Sequence, residues 1–345
     1  HRDLHLSIRR QRQMCIRDSY KKEQKVKKAQ IDISFPKLEK FSHMPAPDKG
    51  EPSSFVSIME GCNKYCSFCV VPMTRGHEVS RTVEDILKEV KILSEKGTAE
   101  IHYLGQNVNN FKGTYRGQVS SLANLIELTG KIDGIKRIRF TTSHPHEFKD
   151  DLVEAYANVP QLVSHVHLPI QSGSDRILKL MRRRYDTNKY LKLVEKIKKI
   201  RPQMRFSSDF IVGFPGETEE DFKETLSVLR YSKFDAVYMF QFSPRPGTKA
   251  NEYNDEFIKK DVISERFMKL KEIQTQISHD RYKRFIGTKQ TLLVENFSKK
   301  TNEFMSGKID GGQTTHIPSK DLKIGDYVNV LITEASPFAL KSELF

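Results

Sequence analysis

The sequence predicts an α/β protein in which an incomplete, TIM-like (β/α)6 barrel is followed by a small antiparallel β-barrel. Between residues 55 and 244, six apolar strand-like runs alternate with amphipathic helical patterns. This alternation is typical of a parallel sheet with helical crossovers. After residue 290 the pattern changes to short β-rich runs separated by turn residues. Six strand–helix units are too few for an eight-stranded barrel, so we expect an open one.

Composition is consistent with two or more domains in 345 residues. Lys and Arg number 58 against 44 Asp and Glu, a net charge of +14 that suits a polyanionic partner. No apolar run approaches the ~18 residues that span a bilayer, and no secretory signal pattern begins the chain. Clustered cysteines fit a reducing compartment. We therefore expect a cytoplasmic monomer without a membrane partner.

The N-terminal region divides into two segments before the barrel. Residues 1–30 are rich in Arg, Gln and Lys without an apolar period, and we interpret them as a disordered or artefactual arm. The run HRDLHLSIRRQRQMCIRDS resembles translated sequencing-adapter sequence, so Cys15 is left out of the predicted chemistry. Residues 31–54 contain several prolines, which favour extended backbone, and are predicted to be a linker.

The predicted barrel domain covers residues 55–283. Its candidate strands are residues 55–59, 100–104, 137–141, 164–168, 206–212 and 237–242. The helical segment 82–96 lies between Thr82, a favoured N-cap, and Gly97, a favoured helix stop. The segment 218–230 begins with an acidic first turn, which suits the helix dipole. Residues 255–284 predict one or two charged helices. In such barrels the chemistry lies at the carboxyl ends of the strands.

The last predicted domain covers residues 284–345. Its runs TLLVENF and YVNVLIT are separated by turn residues, which favours a small antiparallel barrel. Barrels of this kind often present basic and aromatic residues to nucleic acid. The candidates for that role are Phe297, Lys299, Lys300 and Phe304.

Three of the four cysteines lie in the run GCNKYCSFC, with the spacing C-x3-C-x2-C: Cys62, Cys66 and Cys69. Three thiolates on one loop can hold three irons of a [4Fe–4S] cluster and leave the fourth iron open, whereas electron-transfer clusters normally have four cysteine ligands. Structural zinc takes four ligands, usually from two C-x2-C pairs. A zinc site completed by His77, or three thiols that bind no metal, stays open as an alternative.

The longer string SIMEGCNKYCSFCVVPMTRGHEVSR resembles the cluster loop of radical S-adenosylmethionine (SAM) enzymes, and in particular the tRNA methylthiotransferases. Further segments agree with that family in order and spacing: LGQNVN, RIRFTTSHP, HLPIQSGSD, SSDFIVGFPGETEEDF and FSPRPGTKA. The resemblance covers roughly residues 31–345. It implies that residues 55–283 are a radical SAM catalytic domain and residues 284–345 an RNA-binding TRAM domain.

The resemblance also implies the cofactors. They are a [4Fe–4S] cluster with one open iron and SAM, which that iron binds. Family members carry a further N-terminal domain with three cysteines for a second [4Fe–4S] cluster. This sequence does not contain that domain, so we expect an N-terminally truncated chain and a second cluster in full-length members only.

Two sets of site residues follow from the resemblance and from their places at predicted strand ends. The predicted cofactor-binding residues are Gly105, Gln106, Asn107, Ser208, Asp209, Ile211, Gly213 and Glu217. The predicted substrate-binding residues are Arg75, Arg81, His144, His167, Gln171 and Ser172. No single residue is predicted as a catalytic acid or base.

The implied reaction adds a methylthio group at C2 of N6-isopentenyladenosine, just 3′ of the anticodon in tRNA. The implied partners are the anticodon stem-loop, an electron donor and a sulfur or cluster-assembly donor. The alternatives are the same chemistry on a ribosomal protein or on threonylcarbamoyladenosine, and a non-catalytic zinc and RNA-binding module. We expect the C-terminal barrel to contribute tRNA affinity and to be dispensable for SAM cleavage.

Overall fold

The computed structural model describes residue 41 and residues 51–253, 256–298, 303–319 and 322–345. The predicted arm with Cys15, most of the predicted linker, and Lys299 and Lys300 lie outside these described residues. The two barrels belong to one compact unit of the chain.

The regular elements are numbered in chain order. The strands within the described ranges are β1 (Ser53–Ser57), β2 (Met59–Glu60), β3 (Val79–Ser80), β4 (Glu100–Leu104), β5 (Lys112–Tyr115), β6 (Gln118–Ser121), β7 (Arg137–Phe140), β8 (His165–His167), β9 (Arg205–Val212), β10 (Ala236–Gln241), β11 (Lys289–Phe297), β12 (Phe304–Ile309), β13 (Thr314–Pro318), β14 (Tyr327–Ala335) and β15 (Leu340–Leu344). The α-helices there are α1 (Val71–Arg75), α2 (Val83–Glu95), α3 (Leu122–Thr129), α4 (Asp150–Asn158), α5 (Asp175–Leu180), α6 (Thr187–Ile200), α7 (Glu219–Ser232) and α8 (Lys260–Lys283).

Six parallel strands form the predicted open barrel. The strands β1, β4 and β7 make one three-stranded sheet, and β8, β9 and β10 make another. A parallel bridge between Ile138 and Leu162 joins the two sheets. The predicted fold class and all six predicted strands are confirmed, with ends that differ by about two residues at most.

The predicted helix boundaries are also confirmed where a capping signal supported them. The Thr82 hydroxyl accepts a hydrogen bond from the backbone N–H of Asp85 at the start of α2, and Gly97 follows that helix with a φ of +91°. At the start of α7, Thr218 and Asp221 form a reciprocal capping box. Residues 260–283 form one charged helix.

Two hairpins were not predicted from the sequence. The strands β2 and β3 pair around the cysteine segment, and β5 and β6 pair between residues 112 and 121. Their strands have two to four residues, too few to show the alternation of apolar and polar residues that identifies a strand.

The C-terminal strands close into a barrel in the order β11-β12-β13-β15-β14. Its strand pairs are antiparallel except for β13 with β15, which is parallel. The predicted small barrel is therefore confirmed. Phe297 and Phe304, which we predicted as nucleic-acid contacts, are exposed on neighbouring strands.

The C-terminal barrel packs against the amino ends of the catalytic strands. Arg137 on β7 donates hydrogen bonds to the carbonyl oxygens of Lys308, at 2.7 Å, and Thr291, at 2.5 Å. Arg139 donates to the carbonyl oxygens of Ile309 and Asp310 at 3.1 and 2.9 Å. These contacts of two buried arginines join the C-terminal barrel to the catalytic strands. That the barrel is dispensable for SAM cleavage stays a prediction.

Candidate active site

The cysteine segment is the connection of the β2–β3 hairpin and lies at the carboxyl end of the open barrel. The backbone N–H of Cys62 donates to the carbonyl oxygen of Gly76 at 3.1 Å. Gly61 has a φ of +86°, and a Cβ at this position would lie 2.1 Å from the carbonyl oxygen of His77. Glycine is therefore required where the segment turns.

Burial raises the pKa of two of the three thiols, Cys62 and Cys69. All three cysteines are half-buried free thiols. Burial raises the pKa of Cys62 to about 11, against the effect of the Lys64 backbone N–H. Burial also raises the pKa of Cys69, where the Val71 backbone N–H and the charge of Arg183 act in the opposite direction. At Cys62 and Cys69 the thiolate form therefore requires a cationic partner, which irons would supply.

One N–H donor lies near each of the three sulfurs. Besides the two backbone N–H groups, Arg183 Nη1 donates to Cys66 Sγ at 3.4 Å. Within the described ranges, no group of three His, Cys, Asp or Glu side chains is placed to hold a single metal ion. Three thiols on one hairpin connection are the ligands that a [4Fe–4S] cluster with one open iron requires, so the donor set fits such a cluster.

Gly105 and Gln106, which follow β4, contact the start of the cysteine segment. Gln106 Oε1 accepts a hydrogen bond from the backbone N–H of Gly61 at 2.6 Å. A Cβ on Gly105 would lie 2.5 Å from Met59 Cγ, so this close approach also requires glycine. The structure thus brings two predicted cofactor residues to the cysteine segment.

Asn107 offers an acceptor to a ligand. Its side chain is buried, and its Nδ2 donates to Glu78 Oε1 at 2.9 Å. Its Oδ1 is buried and has no hydrogen-bond partner among the described residues. A buried acceptor without a partner is costly. A ligand donor such as the ammonium group of SAM would satisfy it, so this residue fits the cofactor predicted from the sequence.

Glu78 is a site residue that the sequence analysis missed. Its Oε2 accepts from Asn110 Nδ2 at 2.6 Å, and its Oε1 accepts from Asn107 and from the backbone N–H of Asn63, at 3.2 Å. One carboxylate therefore ties the cysteine segment to the residues after β4. A single Glu after an Arg-Gly-His run carries no local signal of this role.

Replacing Glu78 with Ala is expected to lower the free energy of unfolding by about 2 kcal/mol, because it removes hydrogen bonds to a charged acceptor. We also expect faster loss of iron from the cluster-loaded protein. Urea unfolding and iron release to a chelator measure the two effects. Glu78→Gln keeps one acceptor oxygen and should give an intermediate result. Wild-type stability and iron retention in Glu78→Ala would contradict this role.

His144 lies beside the cysteine segment, as predicted for the substrate site. Its backbone N–H and carbonyl oxygen bind the side-chain amide of Asn109 at 2.8 and 2.9 Å. Its ring packs edge-on against Tyr185, with centroids 5.7 Å apart. Burial and the nearby charges of Arg183 and Lys64 lower the pKa of His144 to about 2. His144 is therefore neutral, and because its Nδ1 accepts from the backbone N–H of His146 at 3.3 Å, its proton lies on Nε2.

Strand β9 presents alternate faces to the barrel interior and to the surrounding helices. Ser208 is buried on the helix side, and its hydroxyl accepts a hydrogen bond from the backbone N–H of Ile170 at 3.0 Å. Asp209 lies on the interior side and pairs with His167 Nε2 at 3.3 Å. The placement of Ser208 is a correction to the predicted cofactor set, because one step along a strand reverses the face.

Glu217 closes the turn that follows β9. Its Oε2 accepts from the backbone N–H of Gly213 at 2.9 Å and from Arg266 Nη1 of helix α8 at 2.8 Å. Gly213 has a φ of +74°, and a Cβ there would lie 2.5 Å from Ile263 Cγ1. Glu217 Oε1 is buried without a hydrogen-bond partner among the described residues, so cofactor binding by Glu217 stays a prediction.

Ile211 packs in a small apolar cluster with Phe214 and with Phe68 of the cysteine segment. This contact brings the strand that carries Asp209 and the cysteine segment together. Cofactor binding by Ile211 and by Gly213 stays a prediction.

The remaining predicted substrate residues separate into two groups. For Gln171 and Arg75, substrate binding stays a prediction. Gln171 lies against β9 with a φ of +78°, a conformation that is uncommon for residues other than glycine. Arg75 pairs with Glu60 at 3.2 Å. Two others differ from the prediction because their polar groups bind within the protein. Ser172 is fully buried against Thr225, at 3.3 Å, and the buried Arg81 pairs with Glu89 at 2.6 Å.

Comparisons with known proteins agree with this geometry. The model of the Radical SAM superfamily matches residues 56–229, and the model of the TRAM domain matches residues 283–345. An open (β/α)6 barrel with a three-cysteine segment at its carboxyl end therefore defines a radical SAM protein, a class that implies a [4Fe–4S] cluster and SAM.

Curated relatives define the family within that class. A tRNA-2-methylthio-N(6)-dimethylallyladenosine synthase from Vesicomyosocius okutanii is 49% identical, over 92% of this chain and 72% of that protein. Synthases of the same name from Buchnera aphidicola and Vibrio cholerae are 46% and 48% identical, over 92% and 91% of this chain and 71% and 66% of those proteins. The chain belongs to this synthase family and spans about seven tenths of the length of these relatives.

Among solved structures, coproporphyrinogen III oxidase from Escherichia coli aligns with a TM-score of 0.49 and 17% identity, over 69% of this chain and 55% of that chain.

Of the helices in the described part of the chain, none has the length and apolar character needed to cross a membrane.

Proposed function

We propose that this chain binds a [4Fe–4S] cluster through Cys62, Cys66 and Cys69, cleaves SAM reductively there, and takes N6-isopentenyladenosine in tRNA as its substrate. We propose that addition of the methylthio group to C2 of this base also needs a second cluster. The observation that carries the proposal is the set of three half-buried thiols on one hairpin connection, each with a nearby N–H donor. Relatives at 45–49% identity carry the name of this reaction.

When bound, the cluster and SAM supply a 5′-deoxyadenosyl radical. The protein holds and encloses them. Gly105 and Gln106 hold the cysteine segment in place. Asn107 Oδ1 would accept a hydrogen bond from the ammonium group of SAM, and Ile211 would offer an apolar contact to its adenine. Asp209, His167, His144 and Gln171 lie at the same end of the barrel and face the substrate.

The proposed substrate is the anticodon stem-loop of tRNA. A base in that loop is already unpaired, so little energy is needed to turn it into a pocket. Residues 31–345, which exclude the predicted arm, contain 48 Lys and Arg against 41 Asp and Glu, and this net charge of +7 suits phosphate contacts. The exposed rings of Phe297 and Phe304 on the C-terminal barrel suit stacking on unpaired bases. We propose an electron donor and a sulfur donor as further partners, in the reducing cytoplasm where thiols persist.

We expect the reconstituted and reduced protein to release 5′-deoxyadenosine from SAM. Chromatography of the SAM fragments measures this product, and a protein with its full iron content that forms none would overturn the radical assignment. We expect these 345 residues to form no methylthio product on isopentenylated tRNA, because we propose that sulfur insertion needs a second cluster. Mass spectrometry of the tRNA nucleosides tests this, and repeated turnover to methylthio product would show that expectation to be wrong.

The same samples distinguish the alternatives. A non-catalytic module would contain zinc without iron or labile sulfide. Tight binding to a threonylcarbamoylated stem-loop or to a ribosomal protein, in preference to the isopentenylated stem-loop, would instead favour another substrate for the same chemistry.

A further inference from the structure

The interior of the open barrel is polar where β8 and β9 face each other. Barrels of this type usually fill the interior with branched apolar side chains. Here β8 contributes His165 and His167, and β9 contributes Ser207 and Asp209. Parallel pairing sets His167 beside Ser207. Two of these four residues, His165 and Ser207, have no role in the proposed function.

The four side chains form one continuous chain of hydrogen bonds. His165 Nε2 lies 3.1 Å from Ser207 Oγ, and Ser207 Oγ lies 2.9 Å from His167 Nδ1. His167 Nε2 then lies 3.3 Å from Asp209 Oδ1. The chain ends at the carboxylate, which is 23% exposed and lies closest to the carboxyl end of the barrel.

The chemistry of the carboxylate determines the direction of every bond. An ionised carboxylate only accepts hydrogen bonds, so His167 carries its proton on Nε2 and, when neutral, leaves Nδ1 bare. The Ser207 hydroxyl must then donate to His167 Nδ1. Because a hydroxyl has one proton, its remaining contact accepts a hydrogen bond from His165 Nε2–H. One carboxylate therefore sets the tautomers of two histidines.

The surroundings keep His165 neutral, as this assignment requires. Burial, followed by the charges of Arg139 and Arg205 and its histidine neighbours, lowers the pKa of His165 well below its ordinary value. Strand β4 contributes His102, where burial lowers the pKa to about 3. Strand β10 contributes Tyr238, whose ring packs edge-on against His167 with centroids 5.5 Å apart. These groups face the chain of hydrogen bonds from the neighbouring strands.

We propose that His165 and Ser207 are positioning residues which, through His167, hold Asp209 as an oriented carboxylate acceptor for a hydroxyl or N–H group of a bound ligand. The inference rests on the proposed function, since it concerns the same end of the barrel. Two ligands could supply the donor, SAM or the target nucleoside in RNA.

Histidine tautomers provide a test that does not depend on activity. The cluster-loaded protein in its oxidised state is labelled with ¹⁵N at histidine, and the ring nitrogens are observed by NMR at neutral pH. We expect both His165 and His167 to carry the proton on Nε2, with Nδ1 bare. In Ser207→Ala, His165 should become a mixture of tautomers. A wild-type His167 protonated on Nδ1 would overturn the proposal even if the variant did not fold.

An exposed serine provides the control for the binding test. Ser207→Ala breaks the chain of hydrogen bonds, whereas Ser227→Ala removes a hydroxyl that is exposed on helix α7 and bonds only the carbonyl oxygen of Lys223. SAM and an isopentenylated stem-loop RNA are titrated separately. We expect Ser207→Ala to weaken one of the two by about tenfold, Ser207→Thr to restore it, and Ser227→Ala to leave it unchanged. The ligand that weakens is the one that Asp209 binds.

The outcomes also separate this inference from the proposed function. Equal losses in Ser207→Ala and Ser227→Ala, or no loss for either ligand, would overturn the positioning role. Release of 5′-deoxyadenosine by the wild-type protein would still support the proposed function in that case.

Discussion

Replacing any one of Cys62, Cys66 and Cys69 with Ala is expected to abolish the cluster, from about four irons per chain to almost none after anaerobic reconstitution. We propose that each thiolate binds a different iron, and the described residues of this segment provide no spare cysteine. SAM cleavage should be lost with the cluster. Iron and labile-sulfide analysis, the brown absorbance and 5′-deoxyadenosine release measure these effects.

Cys15→Ala is the matched control, since this cysteine is outside the C-x3-C-x2-C motif. It should keep full iron content and SAM cleavage. Loss of the cluster in Cys15→Ala, or about eight irons per chain in the wild type, would show that the assignment of one cluster to the three-cysteine segment is wrong.

The second large effect is expected at the junction between the barrels. Arg139→Ala should lower the free energy of unfolding by about 3–5 kcal/mol, because it leaves a buried carboxylate with reduced compensation. Arg139 Nε donates to Glu100 Oε1 at 2.8 Å, and both side chains are almost fully buried. The same guanidinium binds the carbonyl oxygens of residues 309 and 310. Urea unfolding of both proteins gives the difference.

An exposed ion pair provides the control for charge alone. Lys131 and Glu127 pair at 3.1 Å on the surface of the protein, and Lys131→Ala should change stability by at most about 0.5 kcal/mol. Equal stability of Arg139→Ala and wild type would mean that the junction does not stabilise the fold.

The pH dependence of stability tests the same contact. Burial opposes ionisation of Glu100, but Arg139 and Arg137 outweigh it and lower the pKa of Glu100 from 4.5 to about 2. A lowered folded-state pKa contributes stability that is present above pH 4.5 and is lost as the pH falls towards 2. Arg139→Ala should reduce this acid-dependent loss.

Much of this molecule could be predicted from local sequence signals. The six barrel strands, the capped helices α2 and α7 and the C-terminal barrel follow from apolar periodicity and from capping residues such as Thr82 and Thr218, which act within a few positions along the chain. The spacing of the cysteine motif is local too, so the order of residues alone is sufficient to locate the cluster segment.

Other properties of the site depend on contacts between residues far apart in the chain. A strand pattern does not show which of two adjacent serines faces the interior, and only pairing with β8 separates Ser207 from Ser208. Glu78 has no distinctive neighbours in sequence and acquires its role from three asparagines brought together by folding.

The sequence by itself therefore determined the class of fold, the order of the elements and the cluster motif, since these depend on short-range periodicity and spacing. Only the tertiary structure decided which polar side chains reach the site and which are used within the protein. Arg139 shows the difference most directly: it lies in RIRFTTSHP, a segment that resembles the family in sequence, and only the structure shows that its guanidinium binds Glu100 and the C-terminal barrel. Burial permits an ion only beside its partner, and that partner is set by the packing of distant strands.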